Sequence, residues 1–446
     1  MRIPMPRSRS ASRLMPVNVK HATTEMRPAG LSRHQLTRQC RCANCFMPPH
    51  LLQKLLESKD KDIREAALNT LLSSSRLRGE RMARAAFFSA AAPANGRRTI
   101  FDLHNSTRLS SATAARTEDG SPSGDDAVNR AFEGLGTTRE FYREVFDRNS
   151  LDDKGMRLEA YVHYDTDYDN AFWDGREMKF GDGDGVLFTD FTKSVDVIAH
   201  ELTHGVTQFT AGLDYRNQSG ALNESISDVF GSLVKQWSRK QTAEEADWLI
   251  GTEIFTPEIA GDALRSMKAP GQAYNSDVLG KDPQPDNMNR YAQLPDTDAG
   301  DHGGVHINSG IPNKAFYLTA IRIGGYAWEA PGHIWYESLK ASNPTTEFQD
   351  FADTTYAKAG ELYGPGGIEQ QAVLGAWREV GIRVSAGPVA VAVGARRPGV
   401  RVAASSVQEA DRLAALTRQI DDLSTQMKAL VKEVSGLKAA SRRQAA

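Results

Sequence analysis

Thiols are nearly absent from this 446-residue chain, whose three cysteines, Cys40, Cys42 and Cys45, fall within six positions. The rest of the chain therefore folds without disulfides, and Cys-x-Cys-x-x-Cys has no fourth ligand nearby at zinc-site spacing. An excess of either charge is missing too. Lys and Arg number 54 against 56 acids, a formal charge of −2, so bulk electrostatics directs the chain to neither nucleic acid nor a membrane. No apolar run is long enough to span a bilayer, and no apolar signal core follows the basic start. What is present, 40% hydrophobic and 25% charged residues, is ordinary for a soluble globular protein. The length exceeds one compact core, and two or three units are expected.

Residues 1–39 carry eight Lys or Arg against the single acid Glu25, with almost no apolar periodicity, which predicts a disordered basic extension. Within 40–97, Pro48, Pro49 and His50 lead into LLQKLLESKDKDIREAALNTLL, whose leucines and Ile63 recur at helical spacing. That predicts a stiff extended arm anchored by an amphipathic helix, then a basic linker open to proteases. Over 98–215 strand signals dominate, and residues 156–164 alternate apolar and polar as a half-buried strand does. The acidic turn FGDGDG at 180–185 fits either tight backbone geometry or a bound cation. Helical patterns take over across 216–384. A β-rich lobe followed by a helical one predicts an α+β protein with a cleft between the lobes.

An Ala-, Val-, Pro- and Gly-rich linker covers 385–406. In 407–446, Leu413, Leu416, Ile420, Leu423, Met427, Leu430, Val434 and Leu437 are spaced alternately by three and four. This predicts a coiled coil of about four heptads through 413–437 and, with Leu413, Ile420, Met427 and Val434 at a and leucines at d, a parallel homodimer.

One stretch carries the chemistry. DVIAHELTHGV, at 196–206, holds His200 and His204 four residues apart inside an apolar pattern of helical period, so both imidazoles leave one helix face and can share a metal ion. Glu201 stands beside the first, where its carboxylate can act as base to a water on that metal. A catalytic zinc needs a third protein ligand and an open position. Glu224 fits, twenty residues after His204 in SGALNESISDVFG, a second amphipathic helix. Asp228 shares a face with Glu224 and can accept the other imidazole proton of a zinc histidine, and Asn223 can serve the second histidine in the same way.

HELTHGVT, AGLDYRNQSGALNESISDVFGSLV and GGVHINSGIPNKAFYL occur in this order between residues 98 and 384, and they resemble the thermolysin family of neutral zinc metalloendopeptidases. The resemblance implies a two-lobed fold with one catalytic Zn2+ held by His200, His204 and Glu224, with Glu201 as general base and proton shuttle. It implies that His306, oriented by Asp301, stabilises the oxyanion, with Tyr215 as a second donor. These roles suit peptide hydrolysis, which needs an activated water, a polarised carbonyl and donors aimed at developing charge. It further implies that Asn170 and the Ala171 backbone align an extended peptide by strand addition and that Arg265 holds a substrate carbonyl. Phe188, Phe191, Val197 and Leu264 would line a pocket preferring a bulky apolar residue after the scissile bond. An extracellular enzyme acting on protein or peptide substrates is implied as well.

PPH before a helix, then RTIFDLHNS, resembles the protealysin-like subgroup with short propeptides. That implies a zymogen whose own pro-segment fills the cleft until it is cut between Arg84 and Thr99. The Pro-Pro arm would lie extended in the groove as a poor scissile bond, with Cys45 and His50 flanking it, a reading favoured over contact of either with the zinc. Departures from the family pattern carry their own expectations. At the double calcium site Lys235 replaces one carboxylate and Leu249 and Thr252 two more, leaving Asp196 and Asp247. An ammonium among those acids predicts loss of the double Ca2+ site, while weaker Ca2+ binding near Thr256, Ile259 and Asp262 stays open. His302 adds a titratable group at the cleft rim.

The reading from another class is a non-proteolytic protein that keeps the zinc fold for binding or assembly through its coiled coil. For the tail, sedimentation of the chain with and without residues 405–446 should show the particle mass falling to that of a monomer. An unchanged oligomeric state rejects assembly through the tail.

Overall fold

The computed structural model describes residues 44–85 and 96–385. The predicted basic extension, most of the expected cut region and the coiled coil lie outside the described residues. The first elements are strand β1 (Asn44–Cys45) and helices α1 (Pro49–Leu55) and α2 (Lys61–Ala85). Pro49 occupies the first turn of α1, where its fixed φ and missing N–H cost nothing. The Pro-Pro pair thus opens a helix, which corrects the expectation of an extended proline arm in the groove. The leucine run expected as one helix also divides, because Asp60 accepts hydrogen bonds from the amides of Asp62 and Ile63 and starts a second helix. α2 buries Ile63, Ala67, Thr70, Ser74 and Leu77 at alternating spacings of four and three, leaving Leu68 and Leu72 about half exposed.

The next lobe contains β2 (Arg98–Ser106), β3 (Thr113–Thr117), α3 (Asp126–Phe146), β4 (Leu158–Tyr164), β5 (Ala171–Trp173), β6 (Met178–Phe180) and α4 (Val195–Gln208). Six strands make one sheet in the order β1-β5-β6-β4-β2-β3. β4 pairs parallel with β2 and β6, and the other pairs are antiparallel. Alternate residues of β4 are buried. The lobe holds more helix than its strand signals suggest: α3, capped by the Asp125 carboxylate at the amides of Ala127 and Val128, buries Val128, Ala131, Phe132, Leu135 and Tyr142 on one side. In the acidic turn, Asp184 accepts from the amides of Val186, Leu187 and Phe188, so turn formation accounts for its composition.

β1 covers what would otherwise be the free edge of β5, with Asn44 opposite Trp173 and Cys45 opposite Phe172. The segment preceding α1 is therefore an added strand of this sheet. The helical lobe follows with α5 (Asn217–Arg239), α6 (Asp301–Asn308), α7 (Gly310–Ile323), α8 (Ala330–Ala341), α9 (Phe348–Tyr363) and α10 (Ile368–Glu379). α4 and α5 share one buried apolar cluster that includes Ile198, Leu202, Ile226, Val229 and Phe230. They approach closely at Gly231, where a Cβ would lie 2.7 Å from the Asp196 carbonyl oxygen. Among the described residues no helix is long and apolar enough to cross a membrane.

His163 on β4 ties the sheet to α3, lying 2.8 Å from Asp182 and 2.9 Å from Asp125, the residue that caps α3. The hydrogen bond to Asp182 outweighs partial burial and raises the imidazole to about 9. A raised folded-state value means that this stabilisation is complete below the ordinary value near 6.5 and is lost as pH rises through 9. The Tm advantage of the wild type over His163→Gln should be largest near pH 6 and shrink toward about pH 10. A difference constant across that range would reject the charged bridge.

Candidate metal centre

α4 carries His200 and His204, and α5 brings Glu224 to meet them. The two Nε2 atoms are 3.0 Å apart, and each is 3.4 Å from an oxygen of the Glu224 carboxylate. All three side chains are buried. The opposite ring nitrogens set the tautomers: His200 Nδ1 is 2.8 Å from Asp228 Oδ1, and His204 Nδ1 is 2.9 Å from Asn223 Oδ1. The Asn223 amide is itself oriented by donating to the Leu213 carbonyl. With protons on Nδ1, both Nε2 lone pairs face a carboxylate, and three buried acceptors repel unless a positive charge lies among them. His200 shows the same demand. Burial opposes a charged ring there, yet Asp228 and Glu224 outweigh it and hold the imidazole at about 9. Zinc ligands at about 2.0–2.2 Å in a tetrahedron stand about 3.3 Å from one another, and the separations of 3.0, 3.4 and 3.4 Å fit that cage.

Glu201 adjoins the cage. Its Oε2 accepts from the Trp173 amide at 2.9 Å, while its Oε1 and the Glu224 Oε2 are buried without hydrogen-bond partners among the described residues. Burial raises the Glu201 carboxyl to about 8 against the pull of His200. A dication in the cage would lower it again, leaving a carboxylate that accepts a proton near neutrality. Asp228 is held at about 2, where the Arg265 guanidinium overrides the opposing effect of burial. Two hydrogen bonds of 2.8 Å link Arg265 to that carboxylate.

Across the cleft, residues 302–304 adopt left-handed backbone conformations with φ of 49°, 88° and 76°. This run folds the Asp301 side chain back onto His306, accepting from its amide at 2.8 Å and contacting its Nδ1 at 2.6 Å. Burial disfavours charge on His306, but Asp301 and Glu224 outweigh it and raise the ring to about 9. Tyr215 donates to Glu224 and lies 3.2 Å from His306 Nε2. His302 stands at the rim, 3.4 Å from Asp298.

The cleft holds residues 44–47 of the same chain. His306 Nε2 donates to the Cys45 carbonyl at 2.8 Å. The Phe46 amide donates to the Ala171 carbonyl at 3.1 Å, the Met47 amide to Asn170 Oδ1 at 2.8 Å, and Arg265 Nη1 to the Phe46 carbonyl at 3.3 Å. The Phe46 ring is fully buried, edge-on to His200 at 5.1 Å and Phe191 at 6.5 Å, with the Arg265 guanidinium 4.6 Å above it. Burying such a ring contributes about 2–3 kcal/mol. The Cys45 thiol lies by Arg78, 3.9 Å from its Nη1, and His50 Nε2 pairs with the Tyr274 hydroxyl at 3.3 Å. Neither side chain joins the cage, and both flank the arm as the favoured reading has it. The backbone carbonyl of Cys45 sits on His306 Nε2, which is itself 3.6 Å from Glu224.

Phe191 touches the Phe46 ring, and Phe188 packs behind Phe191 at 6.3 Å. Leu264 lies beside Gly251, where a Cβ would come within 3.3 Å of Phe46 Cζ. Val197 is buried in the same apolar cluster. Sequence reasoning did not find Gly251, Phe46, Ser227 or Asn313. Ser227 Oγ lies 3.0 Å from His204 Nδ1, and Asn313 donates to Asp228 at 2.9 Å. Ser227 had a signal, one helical turn after Asn223. Gly251 had none, since only the folded pocket brings it to the ring.

Where the sequence predicts loss of the double Ca2+ site, Lys235 Nζ lies 3.0 Å from Asp196, 3.1 Å from Asp247 and 2.8 Å from the Leu249 carbonyl. Thr256 and Ile259 sit in a turn, where Thr256 donates to the Val186 carbonyl, and Asp262 is exposed.

Comparison with known proteins adds to this geometry. A family described as thermolysin metallopeptidase, catalytic domain, matches residues 86–208, and its alpha-helical domain matches 211–382. The chain is 52% identical over 289 residues to protease PrtS of Photorhabdus sp. (strain Az29), covering 64% of this chain and 76% of that protein. It is 44% identical over 342 residues to an extracellular metalloprotease of Pectobacterium carotovorum subsp. carotovorum, covering 76% and 96%. Among solved structures it is similar to the precursor of protealysin, a metalloproteinase from Serratia proteamaculans, with a TM-score of 0.69 and 45% identity over 76% of this chain and 100% of that one.

Asn223→Ala removes the acceptor that orients His204 and should lower zinc affinity about 10- to 100-fold. Competition with a chromophoric chelator measures this, with circular dichroism verifying the fold. Unchanged affinity would mean that the contact does not orient the ligand.

Proposed function

The chain belongs to the thermolysin family of metallopeptidases and is a zinc metalloendopeptidase; from that premise we propose that it is made as a zymogen in which the segment through α2 inhibits the enzyme by occupying its cleft. His200, His204 and Glu224 hold the metal, which when bound polarises the substrate carbonyl and activates a water. Glu201 takes a proton at its unpartnered Oε1 and delivers it to the leaving nitrogen. His306 Nε2 and the Tyr215 hydroxyl donate to the carbonyl oxygen as it gains charge, with Asp301 keeping the His306 ring in place. Asn170 and Ala171 align the peptide by strand addition, and Arg265 holds a carbonyl while fixing Asp228 against His200. The Phe46 pocket, with Phe191 in contact and Phe188, Val197 and Leu264 around it, supports a preference for a bulky apolar residue after the scissile bond.

One observation carries this reading: a main-chain carbonyl, that of Cys45, is held by His306 directly beside three buried acceptors spaced as zinc ligands. The substrates are proteins or peptides, and the name of the Pectobacterium relative supports an extracellular setting. Lys235, amid Asp196 and Asp247, supports loss of the double calcium site, since an ammonium supplies the charge the acids need.

Once the pro-segment is cut away between Arg84 and Thr99, casein should be hydrolysed, and a zinc-selective chelator or Glu201→Ala should abolish the activity. A protein that stays inert after that cut favours the non-proteolytic zinc-fold alternative. A calcium-selective chelator should leave rate and Tm unchanged, and a fall in Tm would restore a calcium site to the fold.

A further inference from the structure

We infer that this chain is its own first substrate, cut in cis at the Cys45–Phe46 peptide bond. The inference rests on the hydrolase reading above and adds which bond is presented to the site and when it breaks.

Direction and register carry the argument. A hydrolase breaks the C–N bond that follows the carbonyl held by its oxyanion donors. Across residues 44–47 the carbonyl on His306 Nε2 is that of Cys45, at 2.8 Å, so the bond presented is Cys45–Phe46. The contacts on its amine side extend the same register: Phe46 amide to Ala171 carbonyl at 3.1 Å, Met47 amide to Asn170 at 2.8 Å, Phe46 carbonyl to Arg265 at 3.3 Å. On the acyl side, Asn44 and Cys45 pair antiparallel with Trp173 and Phe172. An inhibitory segment can escape cleavage by running backwards, by placing proline at the leaving nitrogen, or by drawing its carbonyl off the donors. None of these applies. The strand contacts run in substrate register, the leaving nitrogen belongs to Phe46 and keeps its N–H, and Pro48 and Pro49 lie beyond the bond.

The bond is also held where it cannot drift. The Phe46 ring is fully buried, and the chain that follows is pinned by buried Leu51, Leu52 and Leu55 in α1. In α2, Asn69 donates to the Thr166 carbonyl, Thr70 accepts from the Asp169 amide, and the Ser74 and Tyr168 hydroxyls share a hydrogen bond. Such anchoring makes attack on this bond effectively unimolecular. In the reaction, the hydroxyl of water joins the Cys45 carbonyl carbon and the C–N bond breaks. The Phe46 nitrogen takes both protons of that water, the second from the new carboxyl group, leaving a Cys45 carboxylate and a Phe46 ammonium. Among the described residues, the acyl product is held by the two residues of β1, whereas the amine product keeps α1 and α2. The first cut therefore releases residues 1–45 and leaves the inhibitory helices seated for the later cut.

The test uses the full chain, loaded with zinc, and reads fragments instead of casein turnover. All three cysteines lie at or before Cys45, so thiol labelling under denaturing conditions marks only the released piece. Intact mass and N-terminal sequencing should show residues 1–45 and a body beginning at Phe46, at a first-order rate unchanged over about a hundred-fold dilution. Glu201→Ala should remain whole, and in that zinc-loaded variant hydrogen exchange should be slow at the Phe46 and Met47 amides. Asn170→Ala, made on the Glu201→Ala background, should speed exchange at Met47. Casein hydrolysis by the processed enzyme without any Phe46 terminus would overturn the inference while leaving the hydrolase reading intact. A clip that slows with dilution, or unprotected Phe46 and Met47 amides, would also overturn it. Failure of both casein hydrolysis and the clip would overturn the two together.

Discussion

His200 Nε2, His204 Nε2 and the Glu224 carboxylate meet in a space no wider than 3.4 Å, and such a group of acceptors is tolerable inside a core only around a cation. Much of the architecture serves that constraint. α4 and α5 must cross closely, which Gly231 permits by bringing one helix against the other's backbone. The outer nitrogens of the histidines must donate, and Asp228 and Asn223 give them acceptors that cannot donate back through the atoms in contact. Asp228 in turn is buried and acidic, and Arg265 and Asn313 satisfy it. Removing any one partner leaves an uncompensated polar group in the interior, a loss of about 3–5 kcal/mol where the group is charged.

Arg265 joins this shell to the cleft. Its Nε and Nη2 grip Asp228, its Nη1 reaches the Phe46 carbonyl, and its plane covers the Phe46 ring. A lysine has one point charge and could not fill these three positions together. Orientation of a metal ligand and capture of an extended peptide are thus carried by one guanidinium. A similar economy governs the buried carboxylate of Asp196. There Lys235 of α5 pairs with Asp196 in the first turn of α4 and donates to the Leu249 carbonyl, so one ammonium neutralises the acid and ties the three segments together.

Segment 44–85 is continuous in sequence but divides its work. β1 completes the sheet edge and presents a carbonyl to His306, while α1 and α2 supply the apolar anchor. The prolines sit at the joint, where fixed φ angles turn an extended strand into a helix without sacrificing an amide donor. This is why the residues in the groove are those before the prolines. Proline in the added strand would lack the N–H that Ala171 and Asn170 receive from Phe46 and Met47.

Local periodicity determined part of this protein on its own. Four-residue spacing puts His200 and His204 on one face of α4, and the same spacing puts Glu224 and Asp228 on one face of α5, because a helix's geometry depends on its own residues. The alternation of β4 and the stripe of α2 were legible for the same reason, although the break at Asp60 was missed because one side chain's capping bond overrode a continuous leucine pattern. Tertiary structure alone decided which imidazole meets which acceptor, that Gly251 floors the Phe46 pocket, and that Cys45–Phe46 is the bond beside the cage. Cys45 and His306 are 261 residues apart. Contacts over such separations follow from how the sheet edge, α5 and the left-handed turn at 302–304 pack together, and no periodicity records them.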